Sequence, residues 1–296
     1  MKPGYESNYL RAVDPERPRG VWLRHTAHRS GHGAHGSVWI TAWDAGEGPP
    51  EARKESRPSP AGGTPPFGPD RVAGEIEGAV YDLTWTSAEP ALRHLPREWM
   101  YRAPLPRTKL ESPAPGARFS GRVTVGSRTL ELDGWEGMVG HNWGVEHAER
   151  WIWLHGTAFE DVPGVWADIA LGRVKVAGRT TPWIANGAVS LGGERIRVGG
   201  LTTRARVRED PLRLDFESGP LKGTAHSPRE QAVVWRYADP DGSEHHVANC
   251  SIAALDLVLA RDGAPPLRLH CEHGGAYELG MRETTHGLPV LPFADP

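Results

Sequence analysis

The sequence is short of cysteine and of net charge, and each shortage excludes a class of protein. Two cysteines, Cys250 and Cys271, are too few to cross-link 296 residues and form no C-x-x-C pair, so we predict two reduced thiols in the core. A formal charge of −3, from 34 basic and 37 acidic residues, gives no overall field that would recruit nucleic acid.

The first residues and the apolar runs of the sequence predict neither a leader segment nor a membrane span. Residues 1–6 are not followed by an apolar stretch, and no run approaches the ~18 residues of a membrane span. We therefore expect a cytoplasmic protein without integral membrane association. No P-loop, G-x-G-x-x-G turn, G-x-S-x-G elbow or H-E-x-x-H helix is present, so a nucleotide-dependent enzyme and a serine hydrolase are without support. We expect no cofactor and no metal.

Short runs of alternating apolar and polar residues, bounded by Gly, Pro, Asp and Asn, recur along the chain, whereas helical periodicity is scarce. The pattern predicts an all-β fold. The clearest strand candidates are residues 20–26, 37–43, 78–84, 117–125, 128–132, 150–159, 164–171, 195–198 and 203–208. A hairpin is predicted where residues 232–237 and 245–256 flank a turn that contains Pro240 and Gly242.

The composition changes at two places along the chain. Residues 44–70 are dominated by Pro, Gly, Ser and charge, which predicts a mobile loop inside the first half. Turn-like residues between 142 and 150 end one series of strands, and a Trp-rich strand follows. We therefore predict two domains, residues 1–146 and 147–296.

Tryptophan is abundant, with 12 residues against five phenylalanines. Indole combines an apolar face with one N–H donor, which suits the wall of a ligand cavity. In the strand at residues 150–159, the two-residue period puts Trp151, Trp153 and His155 on one face. That face either lines a cavity, where indoles suit a polyene or a carbocation, or fills an ordinary barrel interior.

A glycine-rich segment at residues 132–147 gathers carboxylates, imidazoles, an amide and indoles. One interpretation is a loop at a barrel mouth, where His141, Asn142 and Glu146 form a polar patch beside Trp143 on an aromatic pocket. The alternative is a buried turn between domains, in which His141 and Asn142 satisfy backbone groups.

Asp168 is a lone acid in an apolar strand, with Trp166 on the same side. If it is buried, desolvation would make its carboxyl keep the proton and serve as a general acid; the alternative is a solvent-facing residue. The histidines of residues 25–35 look like a metal-binding run, but no Cys or carboxylate completes a coordination shell. We interpret that tract as a hairpin loop between strands that end at Thr26 and start at Ser37.

Short motifs in both halves of the chain resemble a known superfamily. They are G-Y-E-S-N-Y-L-R-A at 4–12, W-L-R at 22–24, E-L-D-G-W-E-G at 131–137, N-W-G at 142–144, W-I-W at 151–153 and G-G-A-Y-E-L-G at 274–280. They are similar to segments of the lipocalin-like proteins that include tocopherol cyclase, hydroxyneurosporene synthase (a carotenoid hydratase) and fungal Diels–Alderases.

The resemblance implies two lipocalin-like antiparallel β-barrels packed side by side, with a ligand site between or within them. It also implies cofactor-free acid catalysis on apolar terpenoid or polyketide chains. The matching positions are Asn142, Trp143, Trp151 and Trp153. The G-H pair at 140–141 and the L-H pair at 154–155 depart from the cyclase, so its substrate is not implied.

Two hypotheses follow from these observations. The first is a cofactor-independent hydratase or cyclase for a hydrophobic isoprenoid- or polyketide-like substrate. Its acid–base candidates are His141, His155 and Asp168, and its substrate contacts are Asn142, Trp143, Glu146, Trp151, Trp153 and Trp166. The second is a non-catalytic binding protein for an apolar small molecule, with affinity from apolar burial. A scaffold whose pocket is filled by its own tryptophans is a third possibility, and the oligomeric state is left open.

Overall fold

The structure, a computed structural model, describes residues 4–31, 33–59, 67–160, 162–176 and 178–293. Within these ranges the regular structure is almost all β-strand. Short 3₁₀ turns occur at Ala45–Glu47, Glu98–Tyr101 and Arg229–Gln231. The predicted all-β class is confirmed. In the part of the chain that is described, no helix has the length and apolar character that a membrane crossing requires.

The first sheet is antiparallel and uses the strands up to Gly144. They are β1 (Gly4–Val13), β2 (Arg19–Ser30), β3 (Gly33–Asp44), β4 (Glu51–Pro58), β5 (Arg71–Ile76), β6 (Ala79–Thr86), β7 (Leu92–Arg93), β8 (Thr108–Val125) and β9 (Arg128–Gly144). The described strands follow the order β4-β3-β2-β1-β9-β8-β6-β5, and β7 pairs with β8. Strand β6 shows why alternation of apolar and polar residues predicts a strand, since its residues alternate strictly between buried and exposed.

The second sheet begins at Arg150 and is also antiparallel. The strands of the second half are β10 (Arg150–Gly156), β11 (Trp166–Arg173), β12 (Lys175–Val176), β13 (Arg179–Thr180), β14 (Ile184–Leu191), β15 (Glu194–Arg204), β16 (Arg206–Asp210), β17 (Arg213–Ser218), β18 (Leu221–His226), β19 (Val233–Ala238), β20 (Glu244–Arg261) and β21 (Ala264–Met281). The order is β15-β14-β11-β10-β21-β20-β18-β17-β16, with β19 on β20 and a separate β12–β13 ribbon. The β19–β20 pair is the hairpin predicted from sequence.

Each sheet is built around one long hairpin, β8–β9 in the first and β20–β21 in the second. Both hairpins contain several register shifts. Such bulges bend a strand and increase its twist, which lets a sheet curl onto itself. The result is two curled antiparallel sheets, as predicted for two lipocalin-like barrels packed side by side.

Tryptophans fill the junction between the two sheets. The rings of Trp22 and Trp39 from the first sheet lie 6.0 and 5.2 Å from the ring of Trp235 in the second. The indole N–H of Trp43 donates to the carbonyl of Gln231 at 2.8 Å. One hydrophobic cluster at this junction therefore contains residues of both sheets, and the first sheet has a further core of its own.

The segment predicted to be a mobile loop, residues 44–70, contains strand β4, which pairs with β3 along its length. The loop prediction is therefore wrong for residues 51–58, and residues 60–66 lie outside the described part of the chain. An edge strand needs only one hydrogen-bonded neighbour and one packed face, so a polar composition does not prevent it. The ammonium of Lys54 lies 3.7 Å from the ring centre of Trp39, so this charged side chain covers an indole.

Two further segments predicted to be loops are strands. The glycine-rich stretch up to Gly144 continues β9, hydrogen-bonded to β1 and β8. Its glycines serve close packing, since a Cβ at Gly137 would lie 1.9 Å from the carbonyl oxygen of Arg11. The histidine tract lies largely in β2 and β3, where His28 faces His35 across the pair. His32 falls outside the described residues.

Candidate functional site

A cavity of about 800 Å³ lies where the two sheets meet. Strands of both sheets form its walls, and residues 95–107, between β7 and β8, form an apolar rim in which Trp99 is 60% exposed. The aromatic side chains that line the cavity are Tyr5, Tyr9, Trp22, Trp99, Trp151, Trp153 and Tyr237. Its volume falls in the range of about 300–1,000 Å³ that is typical of small-molecule sites.

Strand β10 supplies two of the cavity indoles, Trp151 and Trp153. Trp153 and His155 stack with ring centres 6.3 Å apart, so the shared face predicted from the two-residue period is confirmed. Trp151 lies flat against β21 because its partner there is Gly280, where a Cβ would come within 2.1 Å of the indole. A glycine at this position therefore makes the room for the cavity wall.

The cavity wall contains a buried carboxylate that prediction from the sequence missed, Glu278 in β21. It accepts the indole N–H of Trp151 at 2.9 Å and the amide N–H of Asn249 at 3.1 Å. Two donors thus hold the carboxyl group in place among aromatic rings. The available signal was an acid within the otherwise apolar end of a strand, residues 276–281.

Tyr9 in β1 places a phenol in the same wall, edge-on to Trp153 with ring centres 5.5 Å apart. Gly140 of β9 leaves room for it, since a Cβ there would meet the ring at 2.2 Å. Burial, followed by the charges of Asp168 and Glu278, raises the pKa of Tyr9 well above its ordinary value. The phenol therefore keeps its proton and can act as a hydrogen-bond donor.

The polar patch predicted around residue 142 is divided by the geometry of β9. Asn142 and Glu146 line the cavity, whereas His141 lies on the opposite face and contacts Glu6 at 3.1 Å. Trp143 stacks on His141 at 4.6 Å, outside the residues that line the cavity. Among the described residues, the buried amide oxygen of Asn142 has no hydrogen-bond partner, which leaves it free for a polar group of a ligand.

Asp168 is fully buried behind the cavity wall, so the solvent-facing alternative is wrong. It accepts the indole N–H of Trp153 at 3.1 Å and the hydroxyl of Ser112 at 2.5 Å, and His94 lies 3.3 Å away. Burial alone would raise its pKa, but His94, His155 and Ser112 outweigh burial and lower it. The predicted retention of the proton is therefore wrong, because neighbours distant in sequence stabilise the carboxylate.

His155 is also fully buried, and it does not line the cavity. Its Nδ1 lies 3.0 Å from a guanidinium nitrogen of Arg11, and its Nε2 lies 3.2 Å from the carbonyl of Pro115. The acid–base role of His155 stays a prediction. Its position indicates that it holds the indole of Trp153 in place. Trp166 is buried in a separate cluster with Leu92 and Ala188, away from the cavity.

Replacement of His155 by glutamine should make the free energy of unfolding depend less steeply on pH in the acid range. Burial, followed by Arg11, lowers the pKa of His155 from 6.5 to about 4. Between these values the unfolded chain binds a proton that the native chain does not, so native stability falls as the pH falls. Removing this group should reduce the slope of the free energy of unfolding against pH by up to about 1.4 kcal/mol per pH unit. Urea unfolding at pH 4 to 7 measures it.

The control for this series is His270→Gln, at an exposed histidine whose pKa is raised by its hydrogen bond to Asp256. That change should leave the slope of the free energy of unfolding against pH unchanged or make it steeper. An unchanged slope in His155→Gln would mean that folding does not lower the pKa of His155.

Among the described residues, one group has the composition of a metal site: His147, Asp239 and His245, at the edge of the cavity. The histidine tract at residues 25–35 contributes no such group within the described ranges. The rings of His28 and His35 lie 4.8 Å apart, centre to centre.

Comparison with known proteins shows a fold and leaves the activity open. No family model matches the chain. It is 27% identical over 277 residues to an uncharacterized protein of Mycobacterium tuberculosis, Rv0493c of strain H37Rv and MT0513 of strain CDC 1551, covering 85% of this chain and 80% of that protein.

Two solved structures are similar over nearly the whole chain. A Nitrosomonas europaea protein assigned as AttH superposes with a TM-score of 0.53 and 13% identity, over 95% of this chain and 92% of that one. Kievitone hydratase from Nectria haematococca gives a TM-score of 0.57 and 10% identity, over 93% and 88%. At such identities the likeness concerns the fold alone. The chain has the fold of the lipocalin-like double-barrel proteins, as its short motifs predicted.

Proposed function

We propose that this protein is an enzyme that hydrates or cyclises a hydrophobic, isoprenoid- or polyketide-like molecule by proton transfer in the cavity between its sheets. One observation carries the proposal: the aromatic wall of the cavity contains a buried carboxylate, Glu278, held by Trp151 and Asn249. A positioned acid in an apolar pocket is the arrangement that proton transfer to a carbon–carbon double bond requires.

The lining supports the substrate class. A cavity of about 800 Å³ accommodates an extended apolar chain, and the exposed Trp99 on its rim offers such a chain an apolar entrance. The rings of Trp153 and Tyr9, which line the cavity, can stabilise positive charge on carbon through their quadrupoles. Asn142 offers an acceptor to a hydroxyl of the substrate.

The chemistry balances with Glu278 as the acid. In its protonated form, the carboxyl gives its proton to one alkene carbon, and the π electron pair forms the new C–H bond. The neighbouring carbon becomes a cation. A water molecule then adds to the cation and loses a proton to the Glu278 carboxylate, which restores the acid with net addition of water. In a cyclisation, a second double bond closes the ring and the departing proton returns to Glu278.

The fold shared with a protein named as a hydratase is consistent with this chemistry. The test incubates purified protein with a panel of isoprenoid alcohols and aromatic polyketides in D₂O, and in parallel in H₂¹⁸O. Both reactions should place one deuterium on carbon, and hydration should also add one ¹⁸O. Compounds that bind but are recovered unchanged would make the chain a carrier and overturn the proposal.

Filling the cavity should abolish binding without unfolding the protein. Gly172 lines the cavity, and a Cβ at that position would meet no atom within 4 Å. Gly172→Phe should therefore weaken the binding of a fluorescent conjugated polyene at least tenfold, because the phenyl ring occupies ligand volume. Gly31→Phe, at an exposed position that is equally open, serves as the control. Equal affinities would place the ligand elsewhere.

A further inference from the structure

Three side chains that are distant in sequence meet at the edge of the cavity: His147 after β9, Asp239 in the β19–β20 turn and His245 at the start of β20. Nδ1 of His147 lies 2.7 Å from one oxygen of Asp239, and Nδ1 of His245 lies 3.4 Å from the other. One ligand atom from each residue lies within 4.8 Å of the other two. The backbone N–H of His147 also donates to Asp239 at 2.8 Å, which fixes the loop.

The imidazoles of this group are buried but incompletely satisfied. His245 and Asp239 are 0% and 1% exposed, and the side chain of His147 is 9% exposed. Among the described residues, Nε2 of His147 and both ring nitrogens of His245 lack a hydrogen-bond partner. Leaving a buried polar atom without a partner has a free-energy cost. A bound cation that accepted a lone pair from each ring would offset this cost.

Aromatic neighbours hold the rings in place. His147 is stacked between Tyr5 and Trp151, with ring centres 4.2 and 5.2 Å away, and His245 lies 5.0 Å from Trp151. Ring packing therefore restricts the motion of both imidazoles before an ion binds, which reduces the entropy cost of binding. The side chain of His147 also lines the cavity, so a bound ion would lie beside the space proposed for the substrate.

The donor set suits a first-row divalent metal. Two imidazoles and one carboxylate are ligands that Zn²⁺ accepts, and three protein ligands leave a coordination position open. Zn–ligand bonds of about 2.0–2.1 Å in a tetrahedron separate the ligand atoms by roughly 3.3 Å. The His245–Asp239 distance already matches, whereas the His147–Asp239 distance must widen.

Other polar groups around Asp239 do not occupy the histidine ligand atoms. The hydroxyl of Ser243 lies 3.5 Å from Asp239 and the guanidinium of Arg282 lies 3.9 Å from it. Neither of these distances is that of a strong hydrogen bond. The carboxylate therefore has coordination capacity left for an ion.

We propose that His147, Asp239 and His245 bind one divalent transition-metal ion, of the zinc class, in the wall of the cavity. The alternative is a hydrogen-bonded triad that never holds an ion. The metal site does not depend on the proposed reaction, and its test requires no substrate.

The test uses the tag-free full chain, stripped with EDTA and then titrated with Co²⁺ and with Zn²⁺. We expect one equivalent of Co²⁺ to produce visible d–d absorption and Zn²⁺ to displace it. Zn²⁺ should also raise the melting temperature by mass action. Asp239→Asn and His245→Gln should weaken binding at least 100-fold and abolish the rise in melting temperature.

Two variants outside the group control for adventitious binding. His35→Gln removes a member of the histidine tract, and His246→Gln breaks the pair that His246 makes with His286 at 2.8 Å. Both should bind Co²⁺ like the wild type. Failure of the wild type to bind, equal affinity in Asp239→Asn, or loss of binding only in His35→Gln would each overturn the site. Because Asp239→Asn preserves the shape of the side chain, it remains informative if His245→Gln fails to fold.

Discussion

Glu278→Gln is expected to lower turnover by about 10²–10⁴-fold while substrate still binds, since this is the usual contribution of a positioned proton donor. Glutamine preserves the shape of the side chain but cannot transfer a proton at neutral pH. The fold should survive, because the amide oxygen can still accept from Trp151. Asn249 can rotate its amide so that its oxygen, which has no partner among the described residues, accepts from the new NH₂ group.

The measurement is kcat for deuterium incorporation, together with the dissociation constant of the same compound. Glu146→Gln is the matched control, since Glu146 lines the same cavity but is partly exposed and paired with Arg107 at 2.8 Å. That variant should change kcat less than about threefold, because the proposed proton transfer does not involve Glu146. If Glu278→Gln retained full turnover, the proton would have to come from another residue, and the proposed mechanism would fail.

Arg11→Met should destabilise the protein by a few kcal/mol, because each buried acceptor left without its donor costs about 1–3 kcal/mol. Arg11 is fully buried in β1 and reaches from the first sheet into the second. It donates to the carbonyls of Ser251, at 3.2 and 2.8 Å, and of Gly274, at 2.9 Å. Burial lowers its pKa to about 10, so the guanidinium is still charged at neutral pH.

Methionine fills much of the same volume, so the loss reports mainly on the unpaired carbonyls and on His155, which also contacts Arg11. Urea and thermal unfolding measure the effect, and the melting temperature should fall on the order of 10 °C. Arg17→Met is the control, because Arg17 is 63% exposed and its ion pair with Asp14 should contribute less than about 1 kcal/mol. Equal losses in both variants would mean that Arg11 does not hold the sheets together.

Prediction from the sequence succeeded where the physical cause is local. The two-residue period put Trp151 and Trp153 on one face, and both line the cavity. Alternating runs predicted an all-β chain, and the Pro240–Gly242 turn predicted the hairpin of β19 and β20. The glycines of β9 were wrongly interpreted as a loop or turn. Glycine permits a turn, but it also permits the close approach of a neighbouring strand, as at Gly137.

The chemistry of the site depends on neighbours that no local pattern contains. Glu278 belongs to the cavity because β21 pairs with β10, more than a hundred residues earlier in the chain. Asp168 is ionised because the first half of the chain brings His94 and Ser112 to it across the junction of the sheets. Side-chain period and turn preference are set by the residue and its immediate neighbours, so the sequence by itself determined the strands and their apolar faces. Burial, pKa and ligand geometry depend on atoms brought together across strands and sheets, so only the tertiary structure decided which polar side chains share the cavity wall.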